Sequence, residues 1–244
     1  MILINPNTSV ATTRMMTALA RGALTGTGLR VRGVTVPGGP PMLTDPAALT
    51  AAVPYVVAAA RTALASGDCV ALLVAAFGDP GVPELRRRPG LATGDTTAYR
   101  AGAGPGPLGP RAATAPVPVV GIGEAALAEA AAGGRRFGIA TTTPRLAGPI
   151  GAHVERLGLT STYTGARFTA GSPERLAARP ESLLAALEAA ARACVVRDGA
   201  EAVVIGGGPL GDAAEALRSR LAVPVVAPIP AACRRLARLL APFS

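Results

Sequence analysis

The chain is 244 residues long, half of them apolar, with a formal net charge of +9, 3% aromatic residues and one histidine. All 24 basic side chains are arginines, and without lysine the chain cannot form a lysine Schiff base, anchor pyridoxal phosphate or complete a Walker phosphate loop. The arginines are scattered, with Arg86-Arg87-Arg88 the longest run, and so few aromatics offer no stacking platform, so the charge reads as a coding bias and no nucleic-acid partner is expected.

In chain order, apolar runs predict strands over 2–5, 29–34, 70–75, 117–122, 136–141, 161–168, 202–206 and 223–227. Alanine-rich stretches between them predict helices near 9–22, 46–66, 123–132, 145–157, 173–197, 211–221 and 229–241. The strand runs are continuous Val, Ile and Leu without strict alternation, as in parallel strands covered on both faces. Strand alternating with helix makes the fold class α/β, with ligands expected beyond the carboxyl ends of the strands. Residues 86–116 break the regularity. They are rich in Gly and Pro, as in Gly104-Pro105-Gly106-Pro107, and too poor in large apolar side chains to offset their ordering entropy. A mobile loop is expected there, either a lid over a cleft or plain disorder.

The second half of the chain repeats the first. Ile2-Leu3-Ile4 then Asn5-Pro6-Asn7-Thr8 matches Phe137-Gly138-Ile139 then Ala140-Thr141-Thr142-Thr143, an offset of 135. Leu72-Leu73-Val74-Ala75-Ala76-Phe77-Gly78 matches Val203-Val204-Ile205-Gly206-Gly207-Gly208-Pro209 at 131, and Val117-Pro118-Val119-Val120 matches Val223-Pro224-Val225-Val226 at 106. The fall from 131 to 106 assigns 25 extra residues to the first half, between Ala76 and Val117. Two similar doubly wound lobes with parallel-rich sheets are therefore expected, facing each other across a cleft. The first lobe would cover 1–122 with its 86–116 insertion, the second 123–227, and 228–244 would be a C-terminal helix packing back on the first.

The repeat sets Ala76 and Gly207 at equivalent strand ends, and chemistry is expected between them. Asn5-Pro6-Asn7-Thr8-Ser9 closes a strand and opens a helix with Thr8 or Ser9 as N-cap. Either it is turn chemistry alone, or Asn7 and the helix-terminal amides hold a carboxylate or carbonyl oxygen. Thr141-Thr142-Thr143-Pro144 is its counterpart, and Gly206-Gly207-Gly208 exposes amides as a candidate oxyanion nest. A small carbonyl or carboxylate compound is the expected partner.

Cys69, Cys194 and Cys233 lack any paired spacing and read as small buried hydrophobes, so neither a disulfide framework nor a metal is expected. Gly, Pro, Arg or Thr interrupts every apolar run before it could span a bilayer, and no basic stretch precedes the first apolar run as in a signal peptide. A cytoplasmic protein without membrane contact is expected. Asp79 in Gly78-Asp79-Pro80-Gly81 fits a turn, Glu124 and Asp212 fit first-turn acids, and His153 fits a helix surface.

These residues carry a resemblance. Ile4-Asn5-Pro6-Asn7-Thr8-Ser9, Phe77-Gly78-Asp79-Pro80-Gly81, Pro118-Val119-Val120-Gly121-Ile122-Gly123-Glu124-Ala125 and Arg136-Phe137-Gly138-Ile139-Ala140-Thr141-Thr142 match, in order, motifs of the aspartate/glutamate/hydantoin racemase superfamily, hydantoin racemase branch. The resemblance spans nearly the whole chain outside 86–116. It implies two like lobes, homo-oligomers, and cofactor-independent racemisation in which two cysteines exchange the α-proton across the substrate. Here Ala76 and Gly207 stand at the two cysteine positions, and neither can move a proton. Each positioned acid or base supplies roughly 10² to 10⁴-fold, so losing both costs about 5 to 11 kcal/mol of barrier lowering. Cys69 lies seven residues before Ala76, over about 20 Å along the strand direction, and cannot replace it.

The matching binding residues are Asn7, Thr8, Phe77, Gly78, Thr141, Thr142, Gly206, Gly208 and Pro209, with Asp79 and Glu124 as the remaining acid/base candidates. Three readings stay open: a repurposed cofactor-independent enzyme performing proton transfer, isomerisation, decarboxylation or ring opening/cyclisation; a ligand-binding pseudoenzyme; or a racemase with engineered cysteine replacements, which Ala76 fits and Gly207 fits poorly.

Overall fold

Short runs of fully buried Ile, Leu and Val set the strands. In a computed structural model describing residues 1–93 and 116–241, the first lobe contains β1 (Ile2–Asn5), β2 (Arg32–Thr35), β3 (Leu72–Val74), β4 (Leu91–Thr93) and β5 (Val117–Gly121). The second contains β6 (Phe137–Thr141), β7 (Tyr163–Phe168), β8 (Ala202–Gly206) and β9 (Val225–Val226). The sheets run β2-β1-β3-β5-β4 and β7-β6-β8-β9, and all pairings are parallel. With β4 set aside the two orders correspond strand for strand. The protein is an α/β fold of two like lobes.

The helices are α1 (Val10–Ala23), α2 (Pro46–Ala65), α3 (Val82–Arg86), α4 (Ile122–Ala130), α5 (Ala147–Arg156), α6 (Pro173–Ala177), α7 (Pro180–Val196), α8 (Gly211–Arg218) and α9 (Pro228–Leu240). The single helix expected over 173–197 is two. Pro180 disfavours a helical conformation in the residue before it, and Arg179 turns to φ −137°, ψ 86°.

The 86–116 segment is also corrected at its start. Arg86 ends α3, and Leu91–Thr93 adds β4 beside β5, so the extra residues begin with an edge strand. Residues 94–115, where the loop or lid was expected, lie outside the described residues. Thr50, Pro54, Arg61 and Thr62 interrupt α2 as expected, yet at 20 residues and a mean hydropathy of 1.4 it is long and apolar enough to cross a membrane by length and composition alone. It lays Val56, Ala59, Ala60 and Ala63 against Ile2, Ile4, Leu72 and Val74.

The inner faces of the sheets are covered by a helix pair whose members come from opposite lobes. α9 follows β9, yet its Ile229, Cys233, Leu236 and Leu239 pack with Leu3, Met16, Leu73 and Val120 of the first lobe. α4 follows β5, yet its Ala126, Leu127 and Ala130 pack with Phe137, Ile139 and Val204 of the second. An Arg234–Glu129 ion pair at 2.6 Å ties the two helices together. The carboxyl ends of β1, β3, β6 and β8 are thereby held on a shared framework.

Candidate functional site

Ala76 and Gly207 are each partly exposed, one residue or two beyond a fully buried strand. Their loops meet. A Cβ built on Gly206 would lie 3.4 Å from Phe77 Cε1, and one on Gly208 would lie 3.0 Å from the Ala75 carbonyl oxygen. Gly207 has φ 154°, a value side-chain-bearing residues rarely adopt, and a Cβ there would stand 3.0 Å from Leu210 Cδ1. The loop is shaped for glycine.

These loops supply donors. The N–H groups of Ala76, Phe77, Gly78 and Gly207 have no acceptor among the described residues, nor do those of Thr142 and Thr143. The Phe77 side chain crosses to the second lobe and packs with Ile139, Val204 and Ile150. Its contribution is to fix the loop.

The first strand end is closed on itself. Ser9 caps α1 by accepting from Thr12 N–H, Asn7 Oδ1 accepts from Ser9 N–H and Asn5 Nδ2, and Thr8 N–H donates to the Pro40 carbonyl at 3.3 Å. What Asn7 retains is its Nδ2 amide, with no acceptor among the described residues. Thr141, a partner of Gly206 in the β6–β8 ladder, donates its hydroxyl to the Gly206 carbonyl at 2.6 Å, and that hydroxyl holds two strand ends together. Thr142 is buried without such a bond, Gly208 is buried and Pro209 is exposed.

Asp79 and Glu124 have every carboxylate oxygen engaged. Asp79, at φ 53°, accepts Gly123 N–H at 2.8 Å and Glu124 N–H at 2.7 Å, so it caps α4 from 44 residues away. Glu124 accepts from Arg86 on both oxygens and from Gly121 N–H at 3.3 Å. Arg86, the first of the arginine run, also donates to the Val119 carbonyl at 2.7 Å and is a framework residue. Gly121 is glycine because any Cβ there would overlap the Asp79 carboxylate.

His153 corrects the sequence reading. Expected on a helix surface, it is 5% exposed, with Nε2 3.3 Å from Asp79 Oδ2. It thus links α5 of the second lobe to the Ala76–Asp79 loop of the first. Leu146, Ile150, His153, Val154 and Leu157 recur at helical spacing, the pattern by which its inward face is readable. Burial and the Glu124 carboxylate push Asp79 up to about 8 despite its two N–H bonds, and burial brings His153 down to about 4.

The thiols are elsewhere and inert. Burial pushes Cys194 up to about 11 and Cys233 up to about 12, and Cys69 is buried before β3, at the end opposite Ala76. No three His, Cys, Asp or Glu among the described residues gather as metal ligands would. An open groove of about 540 Å³ lined by Met15, Leu19, Asp212 and Arg234 shares no residue with the strand-end loops, and Asp212 is a first-turn acid of α8.

Residues 1–236 match the family described as Asp/Glu/Hydantoin racemase. Hydantoin racemase of Paenarthrobacter aurescens is 26% identical over 243 residues, covering 98% of this chain and 90% of that protein. The structure of allantoin racemase from Klebsiella pneumoniae is 26% identical with a TM-score of 0.81, covering 98% of this chain and 86% of that one. Unliganded arylmalonate decarboxylase, at 20% identity, TM-score 0.57 and coverages of 100% and 93%, is similar in fold alone.

Proposed function

We propose, from the premise that the chain belongs to the Asp/Glu/hydantoin racemase family, that its cleft binds a small carbonyl or carboxylate compound and acts on it without thiol proton exchange. One observation carries this reading: Ala76 and Gly207, the positions the resemblance assigns to the family's cysteines, carry no thiol, while N–H groups beside both have no acceptor among the described residues. Preorganised amides stabilise a negatively charged oxygen and cannot remove a proton. Among reactions of small carbonyl acids, loss of carbon dioxide suits such a site best. The departing carboxylate leaves its bonding pair on the α-carbon, the charge spreads onto the neighbouring oxygen, the amides hold that oxyanion, and solvent water delivers the proton.

A binding-only role is the second reading, favoured by a different observation. Every oxygen of Asp79 and Glu124 is engaged, so neither of these two carboxyl groups is free to act as acid or base beside the two loops. Incubating the protein with arylmalonates and following carbon dioxide separates the two. Release above the buffer rate, abolished by Gly207→Ala, is expected. Ligand-induced thermal stabilisation without release would favour the binding protein, and neither effect would overturn the reading of the cleft.

A further inference from the structure

Among the described loops that follow the strands, one cation stands out. Arg145 comes three residues after Thr142, whose N–H has no acceptor among the described residues. Its side chain is 79% exposed, and its only ion-pair partner among the described residues is Asp45, with Nη1 3.9 Å from Oδ2. Asp45 belongs to the other lobe. Four residues after Asp45, Leu49 of α2 packs against the cluster that contains Phe77 and Leu146, and a Cβ on Gly78 would lie 3.2 Å from Leu49 Cδ1. The Pro40 carbonyl of the same segment accepts Thr8 N–H. The pair therefore sits at the rim of both strand-end loops, one partner on each lobe.

The two oxygens of Asp45 do different work. Oδ1 caps α2 by accepting Ala48 N–H at 2.9 Å, and Oδ2 faces Arg145 at the limit of an ion pair. An exposed pair at that distance contributes little to stability, so Arg145 can leave it at small cost. A guanidinium matches a carboxylate in a two-point, charge-assisted contact.

We propose that Arg145 is the residue by which the cleft selects anionic ligands, exchanging Asp45 for the carboxylate of an incoming compound. Asp45 then acts against binding, as a competitor for the guanidinium and a like charge to the ligand. The proposal rests on the reading of the cleft given above and adds the ligand's required charge.

Phenylacetate and its uncharged isostere phenylacetamide test it by calorimetric titration of the intact chain. Arg145→Gln is expected to weaken phenylacetate binding by about 10- to 100-fold, the worth of a charged hydrogen bond, and to leave phenylacetamide within about 2-fold. Asp45→Asn keeps the helix cap and is expected to tighten phenylacetate alone, with a shallower salt dependence in R145Q than in the parent. Equal affinity of the parent and R145Q for phenylacetate would overturn the proposal, as would equal loss of both compounds or weaker binding by D45N. Failure of the parent to bind either compound would instead overturn the reading of the cleft, and this proposal with it.

Discussion

Asp79 and His153 lie side by side, Nε2 3.3 Å from Oδ2, and burial shifts both, so the group that holds a proton differs between the folded and unfolded chain. The folded pKa of Asp79 is raised to about 8 and that of His153 lowered to about 4, against ordinary values of 3.8 and 6.5. Between about pH 4 and 6.5 the unfolded chain carries the proton on His153 and the folded chain carries it on Asp79. Both bind one, so the pair gives stability no pH dependence there. Above 6.5 the unfolded histidine releases its proton while folded Asp79 keeps its own up to about 8. The folded state then holds more protons, and stability falls as pH rises, by about 2 kcal/mol over the window. Urea unfolding at pH 5, 6.5 and 8 reads this directly, and Asp79→Asn is expected to abolish the fall above 6.5; an unchanged fall in D79N would assign it elsewhere. Gly207 gives the second expectation at this scale. Ala76→Cys should leave stability within about 0.5 kcal/mol, as a change at a partly exposed site. Gly207→Cys should cost about 1 to 3 kcal/mol, because φ 154° and the nearby Leu210 both oppose a side chain. Equal melting temperatures for the two variants would mean that the loop is not built around glycine.

The α4 helix shows what one element asks of distant sequence. Its first turn has no side-chain cap of its own, since Gly121 is the N-cap residue, and the missing acceptor comes from Asp79. Gly121→Ala drives a methyl into that carboxylate and is expected to cost about 2 to 4 kcal/mol in chemical denaturation, the sum of overpacking and a lost cap; a cost under about 1 kcal/mol would show the cap to be dispensable. Much at this scale was legible in the sequence. The repeat fixed which strands correspond, because buried parallel strands need continuous Val, Ile and Leu, and the motif residues of the strand ends followed from their place after those runs. Other features were not legible, for identifiable reasons. Leu91–Thr93 is too short for any periodicity and is set among Pro and Gly. Arg86 opens a run of three arginines with nothing in the run to single it out, and only the fold brings it to Glu124, 38 residues on. His153 was read against its charged neighbours Glu155 and Arg156, and its partner lies 74 positions back in the chain.

At the scale of the molecule, the exchanged helices α4 and α9 make each lobe's core depend on the other's chain. Leu236, fully buried on α9 among first-lobe residues, is expected on truncation to Ala to cost about 2 to 5 kcal/mol. It should lower one calorimetric transition common to both lobes; two separated peaks would mean that the lobes unfold independently. The same framework holds the Ala76 and Gly207 loops in contact, with their amides in place and no thiol on either residue. The measurement that tests this account most directly is α-proton exchange by NMR in deuterated water, with the purified protein and 5-substituted hydantoins beside arylmalonates. The account predicts that the hydantoins keep their α-proton at the buffer rate while arylmalonates lose carbon dioxide and take up one solvent deuteron. Exchange of the hydantoin α-proton at an enzymic rate would contradict it, for a base other than cysteine would then be at work between Ala76 and Gly207.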